Sequence, residues 1–210
     1  MFKDDVERVT QALAPLCEPL PDVFVEADQI RKKRLPEFDG DSNYAWLATH
    51  ATRAFAHYKL GGRNLGPWKL SGKHARNGEL WLTDESYKIR ILHGPTEEDV
   101  PPPGHNGQRK AYYLNPPLVD MDPMFGPKND KLLIIWRIPA DAGVPVFRVV
   151  RPIGDWNWGS RAKTDLDFIL PDTAEDLAKL RFDPTDKGLE LRIPDEREEG
   201  GARGAGTGAG

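Results

Sequence analysis

The longest apolar stretch of the chain alternates in a way that defines a sheet core. In KLLIIWRIPADAGVPVFRVVR, residues 131–151, Leu132, Ile134, Trp136 and Ile138 fall on one side of an extended strand, and Leu133 and Ile135 on the other. A strand apolar on both faces belongs inside a sheet, because successive side chains alternate faces and both must be shielded from water. The return run Val146–Arg151 repeats the pattern, and Pro139, Gly143 and Pro145 punctuate the turn between them.

Other segments show shorter periodicities. Val6, Val9, Leu13 and Leu16 recur at helical spacing, predicting a helix over residues 4–17 that Pro15 disturbs and that Pro19 and Pro21 stop. Residues 24–30 fit neither period. A second helix is expected over Asn43–Lys59, capped by Asp41 or Ser42. Its apolar face collects Tyr44, Leu47, Ala48, Ala51, Ala54, Phe55 and Tyr58. Opposite them Trp46, His50, Arg53 and His57 share a strip about 60° wide.

Further strands are predicted at Lys69–Ser71, Glu79–Thr83, Ser86–Leu92, Arg109–Leu114, Asp165–Leu170 and Gly188–Ile193, with a short helix starting at Asp172–Glu175. Asn77-Gly78 is a strong turn signal. Residues 94–108 and 115–130 read as irregular loops, the first containing three consecutive prolines. The expected fold is α+β: one domain over residues 1–194, with a mostly antiparallel sheet of six or seven strands and N-terminal helices on one face. Residues 195–210, acidic and then Gly/Ala-rich, are expected to form a disordered tail.

Composition adds limits. The chain of 210 residues is 39% hydrophobic and 30% charged, as in ordinary soluble proteins. The single cysteine, Cys17, excludes an internal disulfide and suits a reducing, cytoplasmic setting. MFKDDVERV lacks the apolar core of a secretory signal, and no apolar run is long enough to span a bilayer, so no membrane partner is expected. Net charge is −4, unevenly spread: between Gln29 and Gly78 ten Lys or Arg face three Asp or Glu. That asymmetry suggests an anionic partner beside a basic segment, although a basic face balanced by acidic neighbours in the fold explains it equally.

The sequence contains no phosphate-cradling P-loop, dinucleotide fingerprint, H-E-x-x-H, nucleophile elbow or zinc-deaminase signature, and its single cysteine argues against a zinc site. No cofactor is expected. What remains is a cationic group: Trp46, His50, Arg53 and His57 on the helix, then Arg63, Lys69, Lys73, His74 and Arg76. Arginine grips phosphate in a fork, indole stacks on bases, and imidazole moves protons near neutral pH. The sequence therefore predicts an intracellular protein that binds DNA or RNA through this group. Trp46, Arg63, Lys69, Lys73, His74 and Arg76 would make the contacts, and His50, His57 and Arg53 would serve any cleavage.

Three alternatives compete with this reading. A protein-interaction module would use the proline-rich loops and the pair Trp156/Trp158, and a small-molecule enzyme would place its pocket at the same two tryptophans. Magnesium chemistry would use Asp165-x-Asp167 or Asp120-x-Asp122.

Overall fold

The computed structural model describes residues 3–94, 96–97, 99–105, 107–115, 130–139, 142–156 and 161–180. The predicted strand Gly188–Ile193, the tail, Asp120, Asp122 and Trp158 lie outside them. Helices α1 (Lys3–Leu13), α2 (Pro19–Arg34) and α3 (Ala45–Leu60) precede strands β1 (Lys69–Ser71), β2 (Trp81–Thr83) and β3 (Tyr87–His93). Then come α4 (Gly107–Tyr113), β4 (Asp130–Arg137), β5 (Val146–Ile153), β6 (Lys163–Leu170) and α5 (Ala174–Lys179). The strands form one six-stranded sheet in chain order, antiparallel throughout except for β3 and β4. That parallel pair needs a long crossover, and α4 lies on it. The α+β architecture is as the sequence predicts.

Each face of the sheet has its own core. On one, Leu132, Ile134 and Trp136 of β4 and Phe147 and Val149 of β5 meet Val9 and Leu13 of α1, Phe24 of α2, Leu60 of α3 and Leu177 of α5. On the other, Leu133, Ile135 and Val150 meet Tyr112 and Tyr113 of α4. The alternation read in residues 131–151 thus fills both cores.

Four local expectations change. The α-helical part of the first helix stops at Leu13, and residues 14–16 tighten into a 3₁₀ turn around Pro15. Pro19 and Pro21 begin α2 rather than block it. They occupy its first turn, where backbone N–H groups have no intrahelical acceptor, so proline loses nothing there. Residues 109–114 are helical, not extended: Tyr112 and Tyr113 are both buried in one cluster, whereas a strand would send neighbours to opposite faces. The Tyr112 hydroxyl lies between Lys88 O (2.6 Å) and Leu132 O (2.8 Å) and shares its one proton between them, which fixes α4 on β3 and β4. On α3 the buried line is Thr52, Ala56 and Leu60, and Tyr58 is 78% exposed. The predicted apolar face was rotated toward solvent because alanines and tyrosines carry little directional information.

Candidate functional site

Asp41 starts the helical run that carries the basic row by accepting from Asn43 N at 2.9 Å. Alpha-helical spacing then sets His50, Arg53 and His57 along one flank of α3, beside the turn Lys73–Gly78 that joins β1 to β2. That turn closes through Arg76 N donating to Lys73 O (2.8 Å) and Gly78 N donating to His74 O (3.0 Å). Asn77 and Gly78 then take φ of 54° and 64°. Asparagine and glycine tolerate this left-handed region best. A Cβ on Gly78 would sit 2.9 Å from Arg53 Nη2, so the helix arginine lies directly on the turn.

Arg53 is the junction. Its Nη2 donates to Asn77 O at 3.0 Å and meets His50 Nδ1 at 2.7 Å. A guanidinium can only donate, so His50 Nδ1 accepts and is unprotonated. Among the described residues no carboxylate forms an ion pair with Arg53. Burial pulls its pKa below the ordinary arginine value, and Arg90 nearby adds to the effect. One helical turn on, the His57 ring stacks on His74 with centroids 3.8 Å apart and planes 17° apart. His74 Nδ1 lies 2.9 Å from Glu79 O, to which it donates. At the start of α3, Trp46 is 61% exposed and meets the edge of His50 at 6.2 Å.

The structure thus brings together Trp46, His50, Arg53, His57 and His74, with Lys73 and Arg76 on the same turn. Other predicted contacts go elsewhere. Arg63 pairs with Glu26 at 3.3 Å, and the same carboxylate holds Lys59 at 2.5 Å. Lys69 lies exposed on β1 opposite Thr83. In the Arg31–Arg34 run, Arg31 is held by Asp28 and Asp39 and Lys32 by Asp28. His50 and His57 do not meet; the imidazole beside His57 is that of His74. Asp165 and Asp167 each bind an arginine, Arg151 and Arg148 respectively. The Asp165-x-Asp167 pair is thereby engaged in ion pairs. Cys17 is buried, and that burial pushes its thiol up to about 11, away from nucleophile chemistry.

Sequence reasoning missed several cations beside this surface. Lys88 and Arg90 of β3, read only as an outer strand face, and Arg109 of α4 join Arg76 around a cleft on the far side of the turn. The only signal for them was the alternation in YKIRI; that α4 would turn Arg109 toward the same place needed the tertiary structure.

The histidines give this region a pH dependence. Burial, then the charge of His74, lowers His57 below its ordinary value of 6.5; burial, then Arg53, lowers His93 likewise. A folded-state pKa below the unfolded one means the unfolded chain binds more protons in between. The stability contributed by the two neutral rings is complete above the unfolded value and is lost as pH falls through it toward the depressed folded values. Melting temperature should therefore drop between about pH 7.5 and pH 5.5, above the range where carboxylates titrate. The drop should be shallower in a His57→Asn/His93→Asn variant, and parallel curves would remove these rings as its cause.

No family model matches the chain, and no curated protein or solved structure matches it either. Among the described residues no helix is long and apolar enough to cross a membrane.

Proposed function

We propose that the chain is an intracellular nucleic-acid-binding protein whose contact surface is the junction of α3 with the Lys73–Gly78 turn. The observation that carries this reading is Arg53, which joins the helix row to the turn while no carboxylate among the described residues pairs with it. A half-buried cation without a counter-charge is poised to take a phosphate, because an anion offsets its desolvation and accepts its remaining donors. Trp46, exposed at the end of the same row, offers the flat apolar surface that bases stack on. The distance from Trp46 to Arg53 along the helix is about 10 Å, which matches the spacing between a base and a phosphate about one or two nucleotides away on an extended strand.

The reading is one of binding rather than cleavage. Metal-free phosphodiester cleavage needs a base and an acid serving opposite ends of the displacement. His57 and His74 are stacked nearly parallel at 3.8 Å, so both imidazoles approach from the same side. His50 spends its Nδ1 on Arg53.

Fluorescence anisotropy of labelled single-stranded DNA and RNA at about 50 and about 200 mM salt tests the proposal. Affinity should fall steeply with salt, as released counterions require. Arg53→Ala should weaken binding about 3- to 10-fold and make the salt slope shallower by ~1. Trp46→Ala should cost ~1–3 kcal/mol with the slope kept. Absence of binding at the lower salt, or equal affinity in an Arg53→Ala/Lys73→Ala chain that retains its circular dichroism, would falsify it.

A further inference from the structure

We infer that a second anion site, which shares Arg76 with the proposed nucleic-acid surface but draws its other cations from β3 and α4, lies across the turn from α3: a cleft that takes a compact phosphate ester or pyrophosphate group carrying at least two negative charges. The cleft has a volume of about 620 Å³, within the ~300–1,000 Å³ usual for small-molecule sites. Among its described lining residues are four cations, Arg76, Lys88, Arg90 and Arg109, and one carboxylate, Glu79. Glu79 Oε2 is turned toward the loop backbone, where it accepts from Lys73 N at 3.4 Å.

The cations are held by the fold rather than scattered over it. Lys88 and Arg90 alternate with buried Tyr87, Ile89 and Ile91, so both emerge on the second face of the sheet. Trp81 sits opposite Arg90 in the β2–β3 register. Lys88 Nζ is 4.8 Å and the Arg90 guanidinium carbon 5.5 Å from its ring centroid. The indole is itself fixed from two sides. Tyr112 meets it edge-on at 5.0 Å, and Gly72, at φ +81°, approaches so closely that a Cβ there would be 2.8 Å from the Trp81 ring.

Trp81 therefore has its surroundings filled by two cations, a tyrosine and backbone. It orients charge and is not a platform for stacking a base. The cleft selects anionic groups: among its described lining residues Arg76, Lys88 and Arg90 alone outnumber the carboxylate of Glu79 by two charges, which suits a dianion better than a lone carboxylate. Among the described residues no carboxylate forms an ion pair with Lys88 or Arg90. Burial lowers the pKa of Arg90; Tyr113 opposes it, the charge of Arg109 lowers it further, and Tyr112 and Glu79 oppose it more weakly. A forked phosphate contact would offset that strain.

Such a phosphate could belong to a free small molecule or to the end of a nucleic-acid strand. Isothermal titration of the full chain with pyrophosphate tests the site. Saturable binding is expected, weakened about tenfold for each cation removed in Arg76→Gln and Lys88→Gln. Arg76 is exposed, so its variant does not threaten folding. Trp46→Ala, at the far end of α3, should bind pyrophosphate as the intact chain does, and binding should persist even if no oligonucleotide binds at all. Competition then assigns the source. Displacement by an oligonucleotide with a 5′-phosphate but not by its unphosphorylated twin points to a strand end. Displacement by a nucleoside diphosphate alone points to a small molecule. No binding at millimolar pyrophosphate, or unchanged affinity in an Arg76→Gln/Lys88→Gln chain, overturns the site.

Discussion

Arg151→Met is expected to cost about 3–5 kcal/mol of stability, the largest loss from any charged residue described here. Arg151 is fully buried in β5. Its Nη1 donates to Asp165 Oδ2 of β6 at 2.6 Å and its Nη2 to Asp130 Oδ1 of β4 at 3.1 Å. Asp130, 3% exposed, also accepts from Arg8 of α1 at 3.1 Å. One guanidinium therefore ties three strands together, and the carboxylate it shares with Arg8 adds a helix.

Methionine fills the volume but leaves Asp130 buried with half its compensation and takes from Asp165 the arginine paired with it. The cost comes from the stranded charge, not from a lost attraction. Asp130→Asn in the same chain should therefore recover part of the loss, as coupled neighbours do. Urea denaturation followed by circular dichroism measures both. A loss under about 1 kcal/mol for Arg151→Met would mean that the network is solvated.

Phe24→Ala should cost ~3–5 kcal/mol, with Phe24→Leu milder. Phe24 lies fully buried on α2, 4.9 Å from Trp136 and 5.1 Å edge-on from Phe147. It is the side chain through which α2 grips the central hairpin. Truncation leaves a cavity among rigid aromatic rings that cannot close it, so transfer and packing losses add. The Trp136 environment should change in the same experiment, seen as a shift in emission. Near-wild-type stability would show that α2 can move inward to fill the gap.

These two residues also mark what the sequence shows and what it hides. The hairpin over residues 131–151 is legible because strand alternation is a local pattern and its apolar run is dense on both faces. Phe24 was illegible as a core residue because Pro19 and Pro21 look like helix breakers unless the helix is known to start on them. Arg151 and Asp165 were read apart, one as a strand terminus and the other as half of an Asp165-x-Asp167 pair. Their pairing depends on strand register and on the irregularity between Arg151 and Pro152, neither of which has a local signature.

The same division runs through the candidate site. Helical spacing put His50, Arg53 and His57 on one strip, and Asn77-Gly78 announced its turn, so both halves of the junction are visible in sequence. That they meet is not, nor that His57 faces His74. Arg63 shows the opposite limit: it has the right charge at the right place in the chain, and Glu26, 37 positions upstream, takes it.

The most direct test is a ¹H–¹⁵N NMR titration of the chain with a short single-stranded oligonucleotide at low salt. The Trp46 indole N–H and the Asn77 and Gly78 amides should shift together along one binding curve, with the buried Trp68 and Trp136 indoles unmoved. Shifts confined to other parts of the chain, or Trp46 responding while the turn stays silent, would contradict a single surface built by Arg53.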